Sequence, residues 1–196
     1  MYLRILFLLV IFFSPIILNA EQENNCDCAY TPKMSKDNPY PELTPFKDCG
    51  EIDTKGILKI KKEHLDNIFF DKDDLACVYT QGPRTFYVRP DGKTIEAHYF
   101  DNGCDYFIEG LARGIVNRRM VYLNKKLEII IDTPYAMIFP FKNGYAIVCN
   151  DCQKVQIDEH TGFKTDKCGY IDHKGQVVVP LEYSIKNLPS INQIIK

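Results

Sequence analysis

The chain has no tryptophan, only four histidines, and no surplus of either charge: 24 Lys and Arg stand against 26 Asp and Glu. That balance excludes nucleic-acid binding by bulk phosphate neutralisation, and it gives no reason for attraction to an anionic membrane. Beyond residue 20 the only serines are Ser35, Ser184 and Ser190. None lies in a Gly-x-Ser-x-Gly elbow, which argues against a serine hydrolase. The histidines, His64, His98, His160 and His173, form no His-Glu-x-x-His motif and read as surface residues. No glycine-rich phosphate loop or dinucleotide fingerprint is present, so no cofactor is expected. Disorder is excluded too, because 45% of residues are hydrophobic and 26% charged, proportions of a globular domain.

Long apolar runs are missing after residue 20, and the first twenty residues have the form of an export signal. Arg4 supplies the positive start, Leu3 to Leu18 is almost wholly apolar, and Leu18-Asn19-Ala20 offers a cleavage pattern. An uncleaved anchor is the competing reading, but Ser14 and Pro15 interrupt a run already short for a spanning helix. Residues 1–20 are therefore expected to be a cleaved signal peptide and the mature protein to be secreted or periplasmic.

All eight cysteines follow this leader: Cys26, Cys28, Cys49, Cys77, Cys104, Cys149, Cys152 and Cys168. An even number in an exported chain reads as disulfides, although spacing does not choose the pairing. Cys149, Cys152, His160 and Cys168 also have the donor types of a tetrahedral zinc site. They carry the alternative reading, an exported enzyme or a redox or zinc protein. The oxidising compartment and the lack of a second Cys-x-x-Cys favour a bridge from Cys149 or Cys152 to Cys168 instead. Asp71, Asp73 and Asp74 lack the spacing of a calcium loop and read as a solvated connection.

Internal repetition is the strongest signal. Cys49-Gly50-Glu51-Ile52-Asp53-Thr54-Lys55-Gly56 coincides at most positions with Cys168-Gly169-Tyr170-Ile171-Asp172-His173-Lys174-Gly175. Residues 85–92 and 120–127 fit the same frame loosely. The period is about 35 residues, and one insertion between Cys149 and Cys168 accounts for a wider last interval. A second element, Leu75-Ala76, Leu111-Ala112 and Tyr145-Ala146, keeps the same phase. Its fuller form is Phe107 to Ala112 and Phe141 to Ala146. Each unit reads as β-structure: a short strand, a turn with glycine at its close, and a β-branched strand such as Val177-Val178-Val179.

These residues resemble the WG-repeat family of bacterial β-repeat proteins, with its pattern of W-G-y-I-D-x-x-G followed by F-x-x-G-L-A. Where that pattern has tryptophan this chain has Cys49, Thr85, Met120 and Cys168, and the glycine after it stands only as Gly50 and Gly169. The resemblance implies an interaction module and lends no catalytic residue.

The expected fold is all-β: three-stranded antiparallel hairpin units, three and a fraction of them, stacked into one twisted open sheet. The expected organisation is a signal peptide at 1–20, a Pro-rich arm or cap at 21–45, the repeat domain at 46–185 and a tail at 186–196. The expected function is non-catalytic binding or scaffolding toward a protein or glycan outside the cytoplasm. Tyr87, Tyr122 and Tyr170 share one phase and are candidates either for a ligand-binding aromatic ladder or for cross-strand packing.

Overall fold

A computed structural model of the chain describes residues 25–157 and 160–194; the leader expected at 1–20, the start of the arm and the last two residues lie outside them. β1 (Asn25–Tyr30), β2 (Thr44–Ile52) and β3 (Leu58–Ile60) form a first antiparallel meander, followed by a short helix α1 (Lys62–Asn67). β4 (Ala76–Thr80), β5 (Thr85–Val88) and β6 (Thr94–Ala97) form a second, followed by a small hairpin of β7 (Tyr99–Phe100) and β8 (Gly103–Cys104). β9 (Ala112–Val116), β10 (Arg119–Leu123) and β11 (Ile129–Asp132) form a third, followed by β12 (Met137–Ile138). The fourth opens with β13 (Tyr145–Cys149), is interrupted by a hairpin of β14 (Gln153–Ile157) and β15 (His160–Lys164), and closes with β16 (Cys168–Asp172) and β17 (Val177–Tyr183). A helical turn α2 (Ile191–Ile194) lies in the tail.

The fold is thus a mainly antiparallel β-repeat, with no sheet closed into a barrel. The structural unit, however, begins at a different point from the sequence unit. The strand carrying Leu-Ala or Tyr-Ala pairs with the strand that follows it, so it opens a meander and does not close one. Counted this way there are four complete units. Residues 25–30, expected in a Pro-rich cap, are an interior strand: β1 lies between β2 and β4. Of the four prolines assigned to that cap, Pro39 and Pro41 lie in the β1–β2 connection, Pro32 just after β1 and Pro45 within β2.

What repeats most closely is the turn between the second and third strands. In the first unit the Asp53 carboxylate accepts the N–H groups of Lys55 and Ile57, both at 2.9 Å, while its carbonyl accepts that of Gly56. Asn124 and Asp172 make the same set of bonds at 124–128 and 172–176. The fourth residue of each turn has positive φ: Gly56, Gly92, Leu127 and Gly175. Glycine adopts that conformation without a Cβ clash, which is why it marks three of the four turns. Asp71–Leu75 makes a fourth copy of the same bonds outside the expected frame.

Three units share a nine-stranded sheet, ordered β11-β10-β9-β6-β5-β4-β1-β2-β3. The fourth is a separate sheet, ordered β12-β13-β16-β17, where one continuous sheet is expected. The reason is local: β12 occupies the edge of β13 that β11 would otherwise use. A buried cluster sits at each junction. Tyr30, Cys49 and Leu58 meet Val78 and Phe86; Leu75, Tyr87 and Ala97 meet Ala112, Val121 and Leu123; Tyr122 and Ile131 meet Ile138, Phe141, Ala146 and Ile171. Ala112 and Ala146 are thus buried at junctions with a neighbouring unit.

Candidate functional site

The three tyrosines singled out by phase do not reach the surface as a ladder. Tyr87, Tyr122 and Tyr170 are buried. Each phenol donates to a backbone carbonyl in the connection after its own unit: Tyr87 to Asp105, Tyr122 to Phe139 at 2.6 Å, Tyr170 to Pro189 at 3.2 Å. Burial pushes the phenols of Tyr87 and Tyr122 far above the ordinary tyrosine range. Tyr87 also packs on Phe107 and Tyr122 on Phe141, the aromatic residues that open the second repeated element. The shared phase reflects a strap from each unit to the next connection. The first unit has Glu51 at this position, and there Tyr30 is hydrogen-bonded at 2.9 Å to His64 Nδ1 in α1.

Six of the eight candidate cysteines are bridged: Cys28–Cys49, Cys77–Cys104 and Cys149–Cys168. Cys26 is a buried thiol pushed up by burial first and by Asp27 next. The third bridge engages two of the thiols that a zinc site would need; Cys152 is half-buried beyond β13, and of His160 only the backbone is described. No cluster of three or more metal-ligating side chains occurs among the described residues. Two histidines expected at the surface are drawn inward: His64 packs against Tyr30 and Phe46, and His98 is half-buried beside Arg113.

The Cys77–Cys104 bridge positions a site that phase alone does not reveal. It ties β4 to the β7–β8 hairpin, whose tip is Asp101-Asn102, both at positive φ. Directly after the bridge, Asp105 forms a buried ion pair with Arg113, with guanidinium distances of 2.8 and 2.7 Å, and accepts the Arg113 backbone N–H at 2.9 Å. This pair is nearly inaccessible, at 2% and 6% side-chain exposure, and Arg113 also reaches the Ile138 carbonyl. Burial, then the Arg113 charge, holds the His98 imidazole below its ordinary pKa.

Against this rigid base the hairpin shows aromatic rings to solvent. Tyr99, Phe100 and Tyr106 are 43%, 44% and 53% exposed. Phe100 meets Tyr106 edge to face at 6.0 Å and lies 5.3 Å from the Arg113 guanidinium carbon. The Tyr106 hydroxyl is 3.2 Å from an Asp101 carboxylate oxygen. The Tyr79 hydroxyl lies 2.9 Å from where a side chain at position 103 would begin, so glycine lets ring and hairpin approach closely. Amphipathic rings on a pinned loop have little conformational entropy to lose on binding, which suits them as contact anchors.

The fold and this surface define an open antiparallel β-repeat with an exposed aromatic hairpin. A family model described as WG containing repeat matches residues 122–151 and 169–184. Those stretches run from β10 past β13 and through β16 and β17, and the unmatched residues between them contain the β14–β15 hairpin. No curated protein and no solved structure matches the chain.

Proposed function

We propose that this protein is an exported, non-catalytic binding scaffold that presents the β7–β8 hairpin to a protein or glycan partner. The observation that carries this reading is the exposed cluster of Tyr99, Phe100 and Tyr106 on a loop fixed by a disulfide and a buried ion pair. The apolar leader and the three bridges support an oxidising destination. The WG-repeat match supports a scaffold whose units stack through side chains, leaving loops available for recognition.

The test is the triple variant Tyr99→Ser, Phe100→Ser, Tyr106→Ser, compared with the parent by affinity capture from the native exterior and by a glycan array. Capture of a specific partner is expected to fall by about tenfold or more, as for aromatic anchors elsewhere, while the urea midpoint stays within error. Full capture by the triple variant would sink the proposal.

A further inference from the structure

A cleft elsewhere on the nine-stranded sheet has a different lining from the aromatic hairpin. Three units sharing the nine-stranded sheet open onto this one cleft of about 770 Å³. The first unit contributes its Asp53–Gly56 turn, the second Arg84 and Glu96, and the third Ile115 and the Asn117-Arg118 turn.

The charges in this cleft do not cancel. The Asp53 carboxylate is engaged by the N–H groups of its own turn, which hold its pKa below the usual carboxylate range. Glu96 is clamped by Arg84, with contacts of 3.0 and 2.6 Å, and Arg84 also donates to the Gly56 carbonyl at 3.3 Å. Both acids and one cation are thus committed inside the protein. Arg118 lines the same cleft with no acidic partner among the described residues, and Lys55, whose charge acts on the already hydrogen-bonded Asp53, makes no direct ion pair among them.

Arg118 is also held in a costly conformation. Its φ is 62°, in the region where an L-residue other than Gly, Asn or Asp loses about 1 to 2 kcal/mol. Comparable tight turns in this chain, Glu109-Gly110 and Asn143-Gly144, use glycine at the second position. Only Glu109, Arg118 and Leu127 depart from the Gly, Asn and Asp rule among the described residues. The Glu109 carboxylate accepts the Gly144 N–H at 2.9 Å and contacts His173 at 3.1 Å. Leu127 is buried between the second and third units. Both side chains thus offset the backbone cost with tertiary contacts. Arg118 is exposed and makes no hydrogen bond, ion pair or ring contact of this kind among the described residues, so the compensation is sought in a ligand.

We propose that this cleft binds an anionic polysaccharide, with Arg118 and Lys55 meeting its carboxylates. The remaining lining favours a sugar acid over a peptide. Thr54 and Asn117 offer a hydroxyl and an amide suited to sugar hydroxyls, whereas Ile115 is the single aliphatic residue available to a peptide side chain. Arg supplies the planar fork that recognises a carboxylate, and Lys supplies a mobile point charge. This surface is distinct from the aromatic hairpin, so either reading can fail without the other.

The experiment is calorimetric titration of the full mature protein with trigalacturonate, against a neutral galactose trisaccharide and a hexaglutamate peptide. Trigalacturonate is expected to bind with an affinity that falls as salt rises, and the neutral sugar to give no heat. Arg118→Gly is expected to weaken binding by about tenfold, the loss of one charge-assisted contact, while raising the urea midpoint. Lys55→Gln is expected to weaken binding several-fold at an unchanged midpoint. A silent trigalacturonate titration overturns the inference, as does unaltered binding by Arg118→Gly. Tighter binding of hexaglutamate than of trigalacturonate also overturns it and assigns the cleft to an acidic peptide.

Discussion

Tyr122 shows what a repeated residue does in this fold. Its ring fills the junction between the third and fourth units, and its hydroxyl donates to the carbonyl of Phe139 at 2.6 Å. A buried polar group left without a partner is costly, whereas an intact bond contributes modestly. Tyr122→Phe keeps the ring and removes the donor, so we expect a loss of about 1 to 2 kcal/mol in urea unfolding, with hairpin-dependent capture unchanged. An unaltered midpoint would show that the phenol is dispensable. The side-chain type and phase of Tyr87, Tyr122 and Tyr170 are readable in sequence. Their inward direction is not, because strand alternation defines two faces without saying which one meets a neighbour.

Among elements, the second strand of the meander explains the glycine of the Trp-Gly pattern. Gly169 lies on β16 where an added Cβ would fall against the backbone carbonyls of Val179 and Pro180; Gly50 has the same relation to the Lys59 carbonyl. The second and third units hold Phe86 and Val121 at this register, the latter opposite Gly114. Gly169→Ala forces backbone to move in a tightly packed ladder, and we expect a cost of about 1 to 3 kcal/mol by thermal or urea melting. A neutral result would mean that the β16–β17 bulge absorbs a methyl group. Helix α1 is the element that pattern reading missed. It spans under two turns, held by a Lys62–Asp66 ion pair at 2.8 Å and by the docking of His64 on Tyr30, so its stability is largely tertiary.

For the whole molecule, stability is distributed over three junction clusters, the nearest-neighbour arrangement of a stacked repeat. One bridge reinforces the first unit, one the base of the aromatic hairpin and one the interrupted fourth unit. The outer edge strand β17 carries Pro180, which lacks an N–H and so discourages further pairing along that edge. Non-reducing peptide mapping of the protein is expected to recover Cys28–Cys49, Cys77–Cys104 and Cys149–Cys168 as linked pairs. Recovery of a Cys152–Cys168 pair instead would require β13 and β16 to shift register.

The amino-acid sequence by itself determined the local and periodic features. Asp-x-x-Gly turns form through bonds within five residues, β-branched runs favour strands, and one frame repeated along the chain implies stacking. Tertiary structure alone decided where each unit begins, because that depends on which strand edges meet. It also turned Tyr87, Tyr122 and Tyr170 inward and Tyr99, Phe100 and Tyr106 outward, paired the cysteines, and set Arg118 in a cleft shared by three units. These outcomes arise from contacts between residues far apart in the chain, which no local pattern encodes.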